Sequence, residues 1–365
     1  MTELQEQVPL AGWCTLDVGG PARWFVSATS EATIVEALNW ADAHQVEVLV
    51  LGGGSNVVIA DEGFPGLVIQ IAIRGIDRMG DGPTTVFGVG SGEPWDEFVA
   101  WTVEAGCAGL ECLSGIPGLV GGTPVQNVGA YGQEVSSTIR SVRAIETASR
   151  KPVTIEAREC GFGYRTSRFK HVDAGRFIVT AVEYALSQSG APTIVYADAV
   201  KYFADRAGAA PSLSDVRAAI IEIRSRKGMV IRDGNPANRS CGSFFINPIV
   251  RCDYFDRIAA SVRGEQVPHY PAGEAHVKVP AAWLIEHAGF AKGYEQGRVG
   301  ISPFQAQGLI NRGGASAADV LTLAVAIKRA VWKRFGVALV PEPVFVGFAG
   351  NPTAQWLLDR SPRTE

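Results

Sequence analysis

Ser114-Gly115-Ile116-Pro117-Gly118-Leu119-Val120-Gly121-Gly122-Thr123-Pro124-Val125-Gln126-Asn127-Val128-Gly129-Ala130-Tyr131-Gly132 is dense in glycine, punctuated by Pro117 and Pro124, and carries no charged side chain. Such a stretch suits close approach to a ligand. Glycine reaches φ > 0 and leaves main-chain N–H groups accessible, while proline fixes φ and reduces the entropy lost on ordering. Successive N–H groups in such a turn form an anion-binding concavity without Lys or Arg, so a pyrophosphate is the natural guest.

A second glycine cluster lies upstream. Val48-Leu49-Val50-Leu51-Gly52-Gly53-Gly54-Ser55-Asn56-Val57-Val58-Ile59 reads as strand, tight phosphate loop, strand. The G-x-G-x-x-G that opens the helix of a dinucleotide-binding Rossmann unit is absent, and Gly88-Val89-Gly90-Ser91-Gly92 has the wrong spacing. Either cluster alone is equally well read as an ordinary tight turn. Their co-occurrence favours a phosphate-bearing cofactor.

At 365 residues and 47% hydrophobic content, the chain has room for two or three domains with sizeable cores. The net charge of −4 and the lack of a Lys/Arg run argue against a nucleic-acid partner. A polar, acidic start and no long uninterrupted apolar stretch predict a cytoplasmic protein without a membrane span. The six cysteines form no C-x-x-C pair and the five histidines no H-x-x-x-H spacing, so no metal is expected. The thiols are expected to be reduced and packed as small apolar groups, with Cys241 set apart by its neighbours.

Apolar spacing predicts helices over 32–46, with Ser30 or Thr33 as cap, and over 94–106, 212–226, 281–288 and 315–335. Strands are expected within 67–92 and over 138–145, 153–155, 177–186 and 338–347, followed by a loose tail. The fold class is α+β. Gly, Asp and Pro accumulate near 74–82 and 208–211 and divide the chain into 1–78, 79–208 (completed by 336–360) and 211–335.

Three polar positions stand in apolar or glycine-rich settings. Arg165 follows a Gly-aromatic turn in Phe162-Gly163-Tyr164-Arg165-Thr166-Ser167 and could clamp a carboxylate, although a surface arginine in a basic loop is the simpler reading. Ser243, between Gly242 and two phenylalanines in Ser240-Cys241-Gly242-Ser243-Phe244-Phe245-Ile246-Asn247-Pro248, could donate a proton in a dry site or merely start a strand. Glu342 lies between Pro341 and Pro343 before an apolar run, where burial would raise its pKa or demand a cation, unless it is a turn acid.

Taken together and in order, Leu51 to Asn56, Ser114 to Gly132, Phe162 to Ser167, Gly242 to Pro248 and Pro341-Glu342 resemble the MurB family of bacterial UDP-N-acetylenolpyruvoylglucosamine reductases over essentially the whole chain. The resemblance implies a two-part FAD-binding region of the vanillyl-alcohol-oxidase/PCMH-like type, not Rossmann, with a C-terminal α+β substrate-binding domain. It implies non-covalent FAD held by Gly52, Gly53, Gly54, Ser55 and Asn56, with Ser114, Gly115, Ile116, Pro117, Gly118, Gly122, Thr123, Val125, Gln126, Asn127, Gly129, Ala130 and Tyr131. It further implies two half-reactions. NADPH reduces the flavin at N5, and the hydride then passes to C3 of the enolpyruvyl sugar nucleotide.

By the same resemblance Ser243 gives a proton to C2, while Arg165 and Glu342 stabilise the enolate-like charge. Glu342 helps there only if protonated or bridged to a cation. Thr193-Ile194-Val195-Tyr196-Ala197-Asp198 resembles the family version with a tyrosine-bearing substrate loop, making Tyr196 a candidate diphosphate contact. Tyr164, Lys227, Asn247 and Gln305 are further candidate substrate or NADPH contacts. Lys227 also sits at a helix end that suits a cation structurally. Pro343 departs from the family pattern beside Glu342. The expected partners are the sugar nucleotide and NADPH, and a monomer is expected. An oxygen-using flavoprotein oxidase and a non-catalytic sugar-nucleotide binder are the readings from other classes.

Overall fold

The 31–44 helix begins where a short hydroxyl can satisfy its first free N–H groups. The Ser30 side chain accepts from Thr33 N, so Ser30 and not Thr33 is the cap of Glu31–His44. The computed structural model describes residues 4–80, 82–204, 210–231, 238–262 and 264–360. The boundary near 208–211 falls partly outside the described residues, and the tail 361–365 wholly so. The chain divides into two compact units, Met1–Val8 with Ala22–Gly54 and Pro65–Ile231, and Pro9–Pro21 with Ser55–Phe64 and Arg232–Glu365.

Among the described residues the first unit holds two larger sheets and a two-stranded pair of 129–130 with 133–134. A four-stranded one runs in the order Gln5–Pro9, Pro21–Ala28, Phe64–Ile71, Val48–Leu51, the last two parallel with Val48 opposite Leu67. Ile34, Ala37, Leu38 and Ala41 of the first helix are buried with Val26, Leu67 and Ile69 of this sheet. The other sheet is antiparallel, in the order Pro152–Glu156, Ile139–Glu146, Phe177–Gln188, Thr84–Gly90, Ile76–Met79, with Cys107–Ala108 beside 177–188. Its core includes Phe87, Val182 and Tyr184 together with Trp95, Phe98 and Val99 of the helix Trp95–Glu104. Val120 and Val128 are buried in that same core, so the glycine-rich stretch is fixed from behind by its few aliphatic residues.

Helix Leu213–Arg226 carries a Ser212/Asp215 capping box and is followed by Gly228 at φ +64°. Val216, Ile220 and Ile223 on its apolar face pack with Cys112, Tyr131 and Ala199.

In the second unit the longest helix, Ala317–Phe335, has a Ser316/Asp319 capping box, and its first N–H groups, those of Ala317 and Ala318, donate to the Asp61 carboxylate at 2.7 and 3.0 Å. Val344–Val346 runs parallel to Val57–Ile59. The strand expected over 338–347 is therefore shorter at its start. Pro341 and Pro343 have no N–H to give a ladder, and only 344–346 are strand. Helices Ala197–Ala204 in the first unit, and Cys252–Ser261 and Pro352–Leu358 in the second, were not foreseen from periodicity. Two three-stranded sheets complete the second unit, one of 249–251, 276–278 and 270–271, the other of 295–296, 299–301 and 309–311. No described helix is long and apolar enough to cross a membrane.

Candidate active site

The two glycine clusters of the first unit meet main chain to main chain. A Cβ added to Gly53 would lie 2.8 Å from Gly118 Cα, a separation that real Cβ atoms do not show. At Gly52 and Gly122, by contrast, an added Cβ would meet nothing within 4 Å. One face of this paired backbone is thus close-packed and the other is open, the arrangement a bound ligand needs if the N–H groups are to reach it.

The rim of the loop is anchored electrostatically. Gly115, at φ +71°, donates its N–H to Asp96 Oδ1 at 2.5 Å, and Arg217 donates to both Asp96 oxygens at 2.6 and 3.0 Å. Burial pushes the Asp96 carboxyl up, but the Arg217 and Gly115 donors outweigh it and hold the group below the usual carboxylate range. Arg224 is buried behind Gly115, with its Nε 3.4 Å from where a Gly115 Cβ would be, and that Nε has no hydrogen-bond partner among the described residues. A buried guanidinium with an unused donor at the edge of the glycine loop suits an anionic ligand. These residues fit the pyrophosphate-bearing cofactor expected from the sequence.

Inside the loop the polar side chains serve the fold. The Ser114 hydroxyl donates to Glu111 O at 2.7 Å, and Thr123 Oγ1 is 2.7 Å from the Tyr184 hydroxyl. Asn127 donates to Glu134 and to Gly163 O and accepts from Ser136 N. Ser167 Oγ donates to Val125 O at 2.6 Å. Arg165 Nη1 reaches back to Gly129 O at 3.0 Å, and its guanidinium lies 6.0 Å from the Tyr164 ring. Asn127, Tyr131 and Arg165 all have left-handed φ, of 47°, 49° and 55°. Three non-glycine residues in this region of backbone space cost free energy that the surrounding contacts must offset, a pattern typical of functional sites.

Tyr131 also anchors the tyrosine-bearing segment. The Tyr131 and Tyr196 rings meet edge to face at 5.3 Å, and Lys227 Nζ lies 5.6 Å from the Tyr131 ring and 2.5 Å from Asp198 Oδ2. Burial lowers the Lys227 pKa, but the hydrogen bond that Lys227 donates to Asp198 overrides it and raises the value. Tyr131, Tyr196 and Lys227 are thus brought together.

In the second unit Phe244 N donates to Gln307 O at 2.8 Å, Glu342 N to Phe244 O at 2.9 Å, and Ile246 N to Val340 O at 3.0 Å, with Phe245 bridged to Pro341. The 243–246 and 340–342 segments therefore run side by side, antiparallel. Glu342 supplies the one N–H between two prolines, so Pro343 costs the pairing nothing. Asn56 joins the same segment: its side chain donates to Glu342 O at 3.5 Å and its carbonyl accepts from Val344 N at 3.0 Å. Ser243 and Glu342 are half-buried, next to the fully buried Phe244 and Phe245. Asn247 Oδ1 accepts from Ala281 N at the start of helix Ala281–His287 and from Gln307 Nε2, so this end of Asn247 is engaged by protein. Gln305 lies half-buried in the turn before Gly308. Cys241 is buried, and burial pushes its thiol pKa up, so it is no thiolate.

Of the candidate site residues named from sequence, Ser55, Asn56, Ser243, Asn247, Gln305 and Glu342 belong to the second unit, as does Cys241, and the other site residues to the first. Asp96, Glu111, Arg217 and Arg224 were missed. Glu111 does leave a trace, a single acid in the apolar run Ala108 to Leu113, which marks a buried charge that needs partners.

Residues 22–151 match the FAD binding domain family. Residues 235–346 match the family described as UDP-N-acetylenolpyruvoylglucosamine reductase, C-terminal domain. With the open glycine turns, these matches define a flavoprotein of mixed α and β structure that carries an FAD binding domain and a separate C-terminal domain. The UDP-N-acetylenolpyruvoylglucosamine reductase of Thermobifida fusca (strain YX) is 45% identical, the alignment covering 95% of this chain and 99% of that one. The reductase of Saccharopolyspora erythraea is 44% identical, covering 93% and 95%. The crystal structure of the MurB reductase from Thermus caldophilus superimposes with a TM-score of 0.64 at 26% identity, covering 95% of this chain and 99% of that one. The chain belongs to the UDP-N-acetylenolpyruvoylglucosamine reductase family, FAD-dependent oxidoreductases of peptidoglycan synthesis.

Proposed function

We propose that this chain reduces UDP-N-acetylglucosamine enolpyruvate to UDP-N-acetylmuramate with NADPH as electron donor, using Ser243, Arg165 and Glu342 for the substrate half of the reaction. The observation that carries the reading is the backbone pairing of 243–246 with 340–342. It sets a hydroxyl and a carboxyl on adjoining segments against buried phenylalanines. FAD, when bound, would supply the hydride chemistry that links NADPH to C3 of the enolpyruvyl group. Gly52, Gly53 and Gly54, Ser55 and Asn56, and the 114–131 loop would hold it.

Hydride addition at C3 leaves negative charge at C2 and on the substrate carboxylate. The Arg165 guanidinium stabilises that charge, Glu342 polarises the same group, and the Ser243 hydroxyl delivers a proton to C2. A hydroxyl is a weak acid, but the accepting carbon is strongly basic, so position and orientation decide the rate. Tyr196 and Lys227 take the diphosphate, with Tyr164, Asn247 and Gln305 as further contacts. The domain assignment that accompanies this reading is 1–78 and 79–208, completed by 336–360, for the cofactor, with 211–335 for the substrate. The enzyme works as a cytoplasmic monomer.

Anaerobic absorbance tests the whole proposal. Purified protein is expected to be yellow, to bleach with NADPH, and to regain colour on addition of the enolpyruvyl substrate. A colourless protein would favour a sugar-nucleotide binder. A yellow protein that NADPH does not bleach would favour an oxidase.

A further inference from the structure

Glu111 is fully buried, at 0% exposure, and forms no ion pair among the described residues. All its recorded side-chain contacts are with N–H donors. Oε1 accepts from Thr193 N and from Gln133 Nε2, each at 2.8 Å, and Oε2 accepts from Gly109 N at 2.8 Å. Gln133 in turn accepts from Cys112 N at 2.8 Å through its Oε1. The Cys112 thiol donates to Thr193 O at 3.1 Å. Both main-chain groups of Thr193 are thus taken by two consecutive residues, Glu111 and Cys112. The Cys112 thiol is pushed up to about 12 by burial, which keeps it a donor.

Thr193 is the root of the segment that carries Tyr196. Glu111 also opens the turn that leads into the glycine loop, where Ser114 Oγ donates to Glu111 O. Farther along, the tyrosine segment rests on the end of that loop. A Cβ on Gly132 would lie 2.4 Å from Val195 Cγ2, and Tyr196 packs on Tyr131. Gln133, the third member of the network, follows Gly132 directly. One buried carboxylate therefore ties the start of the cofactor loop, its end and the root of the tyrosine segment.

We propose that Glu111 is a positioning residue that holds the tyrosine-bearing segment 193–198 in register with the glycine loop, and so sets the affinity for the substrate diphosphate through Tyr196. The inference rests on the reading of Tyr196 as a diphosphate contact. Carboxylate chemistry is required because both oxygens must accept. A glutamine at 111 offers one accepting oxygen and turns an N–H₂ toward an existing N–H on the other side, leaving buried donors facing each other.

The test is a double-mutant cycle of Glu111→Gln and Tyr196→Phe on FAD-loaded enzyme, with amide hydrogen exchange of 193–198. Glu111→Gln is expected to raise KM for the enolpyruvyl substrate about five- to fifty-fold, with little change in flavin reduction by NADPH, and to speed exchange of the 193–198 amides. Combined with Tyr196→Phe the two KM effects should be less than additive, because the first acts through the second. Unchanged exchange in Glu111→Gln, or fully additive KM effects, would overturn the proposal. Tyr196→Phe with an unaltered KM would instead overturn the diphosphate reading, while the exchange measurement still decides whether Glu111 is the anchor. Should Glu111→Gln fail to fold, Cys112→Ser, which keeps the size of the packed group and alters the bond to Thr193 O, replaces it in the same cycle, and the 193–198 exchange measurement reads whether the segment has loosened.

Discussion

In the two glycine turns of the first unit, Gly52 and Gly122 face open space. In the second unit the proposed reacting groups are side chains, Ser243 and Glu342, displayed by segments that main-chain hydrogen bonds already fix. The first arrangement recognises a ligand with backbone and cannot accept an extra atom where its two turns touch. The second keeps its backbone satisfied without the side chains and can lose them with little change in fold. Mutations should therefore separate the two. Changes in the glycine turns should alter cofactor retention or stability, according to the face they occupy, whereas changes at 243 and 342 should alter a chemical step in a protein that remains folded and yellow.

The sharpest test of that division is Ser243→Ala. Its hydroxyl takes no part in the Phe244 and Ile246 main-chain bonds that hold the segment, so cofactor content and melting temperature are expected to stay near wild type. Flavin reduction by NADPH should be nearly unchanged, while reoxidation by the enolpyruvyl substrate slows by about 10²- to 10⁴-fold, the usual range for losing a positioned proton donor. Stopped-flow absorbance reads both steps. Equal slowing of the two would remove Ser243 from the donor role and blur the distinction between the units.

What could be read from the chain follows the same division. The strand–turn–strand of 48–59 and the helix over 212–226 are local, written in residues a few positions apart, and the structure has them where spacing placed them. Cap choice at Ser30 over Thr33 and the short strand at 344–346 depended on which N–H groups find acceptors. The pairing of 243–246 with 340–342 joins segments about a hundred residues apart, and nothing local in either encodes it. Local setting singled out Ser243 and Glu342, but only the resemblance joined them in one role; propensity could not. Asn127, Tyr131 and Arg165 show another limit, since glycine was the expected carrier of left-handed backbone and three larger residues adopt it under tertiary constraint.

Within the glycine turns themselves, Gly53 and Gly52 should behave differently. An alanine at 53 drives its Cβ to 2.8 Å from the Gly118 backbone, which cannot rotate away as a side chain would. Apo-protein stability should fall by about 1–3 kcal/mol, the range for overpacking a close-packed site. An alanine at 52 meets nothing within 4 Å and should leave the apo protein's denaturation midpoint unaltered. It should weaken FAD binding in reconstitution titrations if the open face is where the cofactor approaches. Equal destabilisation by both variants would mean that the face at Gly52 is no ligand surface.

The smallest effect is expected where a side chain in the first unit supports the backbone, at Asp96. Asn in its place keeps the size but loses the charge that Arg217 and Gly115 N–H contact together. Because the Asp96 side chain is 39% exposed, solvent screening limits the loss to about 1 kcal/mol. The folded-state pKa lies below the ordinary value, so the unfolded chain takes up the proton first as pH falls. The stability gap between wild type and Asp96→Asn should hold constant from neutrality down to about pH 4, near the unfolded aspartate value, and close below it as the folded carboxylate protonates. Urea denaturation of the apo proteins at a series of pH values measures it. A gap that persists unchanged to pH 2 would show that Asp96 holds Gly115 by shape and not by charge, placing this corner of the loop with the uncharged, main-chain architecture around it.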